Sequence, residues 1–110
     1  MAKTATAEPV RYDIWIAGEY EHACGILQEY VIRGECVSVT KVDYIFKYGR
    51  EQGICVSLVN YPRFPRSQER LKKIAHEIAD TLLNKLGQGS YMISGPDEHF
   101  YYDRRDAESG

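Results

Sequence analysis

Hydrophobic and polar positions repeat with two different periods along the chain, and the changes of period mark strands and helices. Residues 12–17 alternate with the period of a strand, which ends at Gly18. Residues 19–33 carry apolar side chains at helical spacing, and Gly34 is placed to end that helix. The pattern therefore predicts a strand followed by a helix.

The next segments predict a hairpin and a rigid loop. Residues 36–48 and 54–60 are rich in β-branched and aromatic side chains, and residues 49–53 between them form a polar turn. Pro62 and Pro65 follow, and their spacing excludes a regular helix or a central strand.

The strongest periodic signal belongs to the second helix, residues 67–86, which Ser67 is suited to cap. A short strand follows at residues 90–94, and residues 99–103 can return as a further strand. The apolar stripe of the helix consists of Leu71, Ile74, Ile78, Leu82 and Leu86.

This order, β-α-β-β-α-β with a possible extra C-terminal strand, predicts an α+β fold of the split β-α-β (ferredoxin-like) sandwich type. Residues 11–105 form its single domain. Residues 1–10 are expected to be a flexible N-terminal arm, and residues 106–110 a flexible tail.

Strand alternation assigns the side chains to two faces of the predicted sheet. The helix-covered face should hold Tyr12, Ile14, Ile16, Val37, Val39, Ile54, Val56 and Leu58. The open face should hold Trp15, Thr40, Cys55, Ser57 and Val59. Because an exposed aromatic face rarely stays bare, we expect residues 99–102 or a second copy to cover it, and hence predict a homo-oligomer.

Composition narrows the functional classes. A net charge of −2 argues against non-specific nucleic-acid binding, and no segment matches an RNA-binding signature. No apolar run is long enough to span a membrane, and residues 1–9 lack the apolar core of a signal peptide. Cys24, Cys36 and Cys55 are predicted to be reduced core residues of a cytoplasmic protein.

The sequence contains no pattern typical of a catalytic or metal site. Its three histidines are scattered, so neither a metal nor another cofactor is predicted. His22 and Cys24 stand two residues apart and would point to different sides of a helix. The chain is therefore expected not to be an enzyme.

The best candidate for a binding surface is the loop at residues 60–66. Its prolines make it rigid, its aromatic rings can stack on a ligand, and its arginines can bind phosphate or carboxylate. The predicted site, including two arginines brought to the same end of the fold, consists of Asn60, Tyr61, Arg63, Phe64, Arg66, Arg11 and Arg33.

Two expectations accompany this site. Replacing Arg63 or Arg66 by alanine should preserve folding and weaken binding at least about tenfold. If the loop is only a structural corner, the alternative surface is the hairpin end with Tyr20, Lys47, Tyr48 and Arg50.

Three segments together carry a resemblance: residues 12–18, 34–37 and 60–65, the last reading Asn-Tyr-Pro-Arg-Phe-Pro. They resemble small phage or prophage proteins of unassigned function. The resemblance implies an accessory protein in the host cytoplasm that counters host defence. Small size, nine tyrosines and the rigid loop with its arginines favour a non-enzymatic binding protein. It would sequester an anionic small ligand, such as a nucleotide-type signal, or block a host protein. The alternatives are a small enzyme that acts on a phosphorylated substrate through His22 and the arginines, and a structural oligomer subunit.

Overall fold

Two helices lie on one face of a five-stranded antiparallel sheet in the computed structural model, which describes residues 2–105. The strands lie in the order β2-β3-β1-β4-β5. The elements are β1 (Arg11–Ala17), α1 (Tyr20–Tyr30), a 3-10 turn (Val31–Arg33), β2 (Ser38–Phe46), β3 (Gly49–Val59), α2 (Gln68–Leu86), β4 (Ser90–Ser94) and β5 (His99–Asp103).

The predicted α+β class is confirmed, with two helices and an antiparallel sheet. Five strands in this order go beyond the four-stranded sheet expected of the split β-α-β sandwich. The domain boundaries stay predictions, and the tail predicted at residues 106–110 lies outside the described residues.

Both ends of α2 follow from local chemistry. Ser67 Oγ accepts a hydrogen bond from the backbone N–H of Arg70 at 3.1 Å, which satisfies one free donor of the first turn. Gly87 ends the helix with a φ of 67°, a left-handed conformation that costs glycine little. Neither helix in residues 2–105 is long and apolar enough to cross a membrane.

The core lies between the helices and one face of the sheet. Ile14, Ile54, Val56 and Ile78 are fully buried in it, together with most of the predicted α2 stripe. Strand pairing places Thr40, Cys55 and Trp15 side by side on the opposite face. The register confirms the predicted division between the two faces for the residues that lie in strands, whereas Val37 precedes β2.

Three sequence-based expectations are wrong. The hairpin turns at residues 47–48, where Tyr48 has a φ of 70°, so β3 begins at Gly49 instead of after a turn at 49–53. β5 pairs with the edge of β4 and extends the sheet, so residues 99–102 do not cover the open face. Cys36 is exposed because it lies between the 3-10 turn and β2, outside the sheet, whereas Cys24 is half-buried and Cys55 is buried.

Candidate functional site

A cavity of about 460 Å³ opens at the corner of the sheet where β2 stops pairing with β3. The pairing of the two strands ends at Ser38 opposite Ser57, so Leu58 and Val59 border the cavity without a β2 partner. A cavity of this volume suits a small organic ligand. Its lining residues are Gly34, Glu35, Cys36, Val37, Ser38, Ser57, Leu58, Val59, Tyr61, Arg63, Phe64, Arg66 and Leu71.

Asn60 holds the loop that forms one wall of this cavity. Its side-chain amide donates to the backbone oxygen of Glu8 at 3.0 Å, and its Oδ1 accepts from the backbone N–H of Arg66 at 2.8 Å. Its own backbone N–H donates to the oxygen of Val10 at 2.9 Å. The buried Asn60 side chain therefore fixes both ends of the loop and has a structural role.

The Glu35–Arg66 ion pair joins the loop to the opposite wall. Arg66 Nη1 donates to both carboxylate oxygens of Glu35 at 2.6 Å. The Glu35 side chain is only 8% exposed, and the Arg66 side chain is 30% exposed. Arg66 therefore links the two walls of the cavity, and a nearly buried carboxylate neutralises its charge.

Two exposed aromatic rings edge the cavity. Tyr61 and Phe64 are 52% and 63% exposed, although both are large apolar side chains. Their rings are nearly parallel, with centroids 6.4 Å apart, and the guanidinium of Arg63 lies 5.5 Å from the Phe64 centroid. Aromatic faces held open beside an apolar cavity are suited to stacking on a flat ring of a ligand.

A row of polar side chains crosses the open face of the sheet next to the cavity. The strand register places one residue from each strand in line: Ser38, Ser57, Asp13, Ser94 and His99. Two pairs of neighbours in the row are joined by hydrogen bonds. The Ser57 hydroxyl donates to Asp13 Oδ1 at 2.6 Å, and His99 Nδ1 lies 3.0 Å from Ser94 Oγ.

Arg11 and Trp15 complete the hydrogen bonds of this row. Arg11 Nε donates to the two oxygens of Asp13 at 2.9 and 3.1 Å, and Trp15 Nε1 donates to Ser94 Oγ at 3.1 Å. Cys55 lies beside the row, where burial raises the pKa of its thiol, so the thiol stays protonated and is a poor nucleophile. Residues 2–105 contain no cluster of three or more His, Cys, Asp or Glu side chains arranged to hold a metal ion.

The sequence matches no protein-family model and no curated protein. The fold is similar to that of a phage SAM lyase in its apo state, with a TM-score of 0.64 over 86% of this chain and 88% of that chain, at 8% identity. It is also similar to a phage SAM lyase in complex with S-methyl-5′-thioadenosine, with a TM-score of 0.65 over 94% of this chain and 95% of that chain, at 7% identity. At such identities the likeness establishes a shared fold.

This finding contradicts the predicted function. Both of these structures are of an enzyme, so they point to an enzyme and away from a non-enzymatic binding protein. The expectation that the chain is not an enzyme is therefore wrong. It depended on searching the sequence for familiar catalytic motifs, and the residues that line the cavity form none of them.

The structure separates the seven predicted site residues into two groups. Four of them line the cavity: Tyr61, Arg63, Phe64 and Arg66. The other three do not line it: Asn60 lies behind the loop, Arg11 lies on the open face, and Arg33 contacts Glu77 at 3.8 Å and lies over the ring of Tyr30. Whether any of the seven binds a ligand stays a prediction.

Sequence reasoning missed Glu35 and Asp13. Glu35 gave no signal, because its partner lies 31 positions away and the pairing depends on tertiary structure. Asp13 did give a signal: an acidic residue is uncommon within an apolar strand, and such a residue needs a partner.

Proposed function

We propose that this chain is an enzyme that cleaves S-adenosylmethionine to S-methyl-5′-thioadenosine, with the corner cavity as its active site. The observation that carries the proposal is an apolar, aromatic-edged cavity in a chain that shares its fold, over 94% of its length, with a lyase bound to S-methyl-5′-thioadenosine. The predicted anionic ligand is thereby replaced by one with a cationic sulfonium and a nucleoside.

The cavity offers contacts for each part of the nucleoside. Stacking of a base on an aromatic side chain contributes about 1–3 kcal/mol, and the exposed rings of Tyr61 and Phe64 are available for it. The Ser38 and Ser57 side chains in the wall can bind ribose hydroxyls. The same aromatic faces attract a nearby sulfonium through cation–π interaction.

The proposed reaction balances without water or a second substrate. The bond between the sulfonium and the γ-carbon of the amino-acid chain breaks, and its electron pair stays on sulfur, which becomes a neutral thioether. A carboxylate oxygen of the same substrate forms the new bond to the γ-carbon, so the four-carbon fragment leaves as a cyclic ester.

An apolar cavity favours this step for an electrostatic reason. The reacting carboxylate and sulfonium lose their opposite charges as the new bond forms, so water stabilises the separated charges more than the transition state. Val37, Leu58, Val59 and Leu71 supply apolar surface that excludes water. The walls also hold the flexible chain in a folded conformation, which lowers the entropic part of the barrier.

The topology and the cellular role extend the proposal. We interpret the antiparallel order β2-β3-β1-β4 as a ferredoxin-like unit to which β5 adds one strand at the β4 edge. A phage or prophage origin fits an enzyme that removes the methyl donor on which host methyltransferases depend. The predicted homo-oligomer and cytoplasmic location stay part of this proposal.

The proposal is tested by incubating the purified chain with S-adenosylmethionine and following the products by liquid chromatography and mass spectrometry. We expect S-methyl-5′-thioadenosine and a four-carbon cyclic ester in equal amounts. The double variant Tyr61→Ala, Phe64→Ala should remain folded, because both side chains are exposed, and lose at least about tenfold in kcat/KM.

Tyr48→Ala is the matched control, because Tyr48 is an aromatic residue that is 95% exposed at the hairpin turn, away from the cavity lining. It should leave kcat/KM unchanged. A folded wild-type protein that forms no S-methyl-5′-thioadenosine contradicts the function. Full activity of the double variant contradicts the site.

A further inference from the structure

A charged pair adjoins the cavity on the open face of the sheet. Ser57 belongs to both regions, because it lines the cavity and its hydroxyl donates to Asp13 Oδ1 at 2.6 Å. Arg11 Nη2 donates to the same hydroxyl at 3.1 Å. Arg11 and Asp13 are thus separated from the cavity wall by a single hydroxyl group.

Arg11 and Asp13 both have hydrogen-bonding capacity that their contacts within residues 2–105 do not use. A guanidinium has five N–H donors. Towards the residues that the structure describes, Arg11 uses only Nε and one N–H of Nη2. Asp13 Oδ2 accepts from Arg11 Nε alone among them, at 3.1 Å. The two side chains are 60% and 20% exposed, so both are accessible to a ligand that extends past Ser57.

The charges of the pair indicate the class of ligand. A guanidinium binds a carboxylate through charge-assisted hydrogen bonds, and a carboxylate binds an ammonium. One positive and one negative group side by side therefore complement a zwitterion. They do not complement a phosphate, which Asp13 would repel, or an uncharged nucleoside, which carries no charge for either group to bind.

We propose that Arg11 and Asp13 bind the zwitterionic amino-acid end of a ligand whose nucleoside end occupies the cavity. The inference rests on the proposed function, which supplies the nucleoside, and it adds the substrate feature that the enzyme selects. Asp13 receives the α-ammonium group, and Arg11 binds one oxygen of the α-carboxylate, which leaves the other oxygen free to form the bond to the γ-carbon. Ser57 fixes the distance between this subsite and the cavity through its bonds to both side chains.

Two nucleoside ligands distinguish binding at this subsite from binding in the cavity. S-adenosylhomocysteine carries the amino-acid end on a neutral thioether, whereas S-methyl-5′-thioadenosine lacks that end. By isothermal titration calorimetry, Arg11→Gln and Asp13→Asn should each weaken S-adenosylhomocysteine about tenfold and change the affinity for S-methyl-5′-thioadenosine less than about twofold.

The exposed Arg50–Asp43 pair on the hairpin is the matched control, with Nη2 and Oδ2 at 3.0 Å. Arg50→Gln should change neither affinity. Circular dichroism checks the fold of each variant, and Arg11→Gln carries the test if Asp13→Asn does not fold, because Arg11 is exposed.

The outcomes separate the two proposals. If the wild-type protein binds both nucleosides and Arg11→Gln weakens both equally or neither, the subsite is wrong while the proposed function stands. If the wild-type protein binds neither nucleoside, the proposed function fails and the subsite fails with it.

Discussion

The helix-covered face and the open face of the sheet are built from alternate residues of the same strands, yet they are filled by different kinds of interaction. On the covered face, Ile14, Ile54 and Val56 are fully buried by contacts that any close-fitting apolar side chain could provide. On the open face, Asp13 and Ser57 make hydrogen bonds that depend on the identity of each atom. Stability is therefore concentrated on one face, and the chemistry that could recognise a ligand lies on the other face and at its corner.

The largest loss of stability is expected from a charge placed in the core against the covered face. Ile78 lies in the middle of α2, fully buried among apolar side chains. Ile78→Asp would bury an unpaired carboxylate and leave a void, at a cost of several kcal/mol against a total stability of about 5–15 kcal/mol. We expect no cooperative thermal transition in circular dichroism.

Lys73→Asp is its control, since Lys73 is exposed on the same helix. It should unfold cooperatively near the wild-type temperature. A native-like transition in Ile78→Asp would contradict the assignment of this side of α2 to the core.

The covered face was predictable because periodicity alone determines it. The stripe of α2, the cap at Ser67 and the strand at Ser90–Ser94 all follow from local patterns, and the structure contains each of them. The turn of the β2–β3 hairpin was not predictable in the same way. Glycines at positions 49 and 53 suggested the turn, but β3 continues through both, and Tyr48 adopts the left-handed conformation instead.

The second largest loss of stability is expected from Arg66→Ala, at the corner between the two faces. The sequence predicted that Arg66→Ala would preserve folding, but the side chain pairs with Glu35, which is 8% exposed. Removing the arginine leaves a nearly buried carboxylate without its partner, so we expect a loss of about 2 kcal/mol in the free energy of unfolding. The value is below that for a fully buried pair because Arg66 itself is 30% exposed.

Urea denaturation measures this change, and Arg63→Ala is the control from the same loop. Arg63 is exposed over the ring of Phe64, so its removal should cost less than about 0.5 kcal/mol. The double variant Glu35→Ala, Arg66→Ala should recover part of the loss, because it removes the unpaired charge. Equal stability of the two arginine variants would show that the Glu35–Arg66 pair does not support the loop.

The candidate site was predictable only in part, and the reason is physical. Tyr61, Arg63 and Phe64 could be found because rigid loops with aromatic residues and arginine commonly form binding surfaces. The distinct roles of Asn60, Arg66 and Arg11 could not, because partners distant in sequence determine them: Glu8 lies 52 positions from Asn60, and Ser57 lies 46 positions from Arg11. Composition shows which groups are present, and only the fold shows which of them already have partners.

The smallest effect on stability is expected from the Tyr30 hydroxyl, at the edge of the covered face. Tyr30 is 7% exposed, and its hydroxyl donates to Glu77 Oε2 at 3.0 Å. Burial, with a further contribution from Glu77, raises the pKa of Tyr30 from 10.0 to about 12. The folded state therefore favours the neutral phenol. This contribution to stability is complete below pH 10 and is lost as the pH rises towards 12, at no more than about 1.4 kcal/mol per pH unit.

Tyr30→Phe isolates the contribution of the Tyr30 hydroxyl to the pH dependence of stability. At pH 8 the variant should lose about 1 kcal/mol, because the hydrogen bond to Glu77 is absent. Between pH 10 and 12 its free energy of unfolding, measured by urea denaturation, should fall less steeply than that of the wild type. Part of the decline must remain, since burial also raises the pKa of Tyr44 to about 12.

Tyr101→Phe, at an exposed position of β5, should keep the wild-type slope. If Tyr30→Phe kept it too, the Tyr30 hydroxyl would be as well solvated in the folded state as in the unfolded chain, and the covered face would be open to water at that edge.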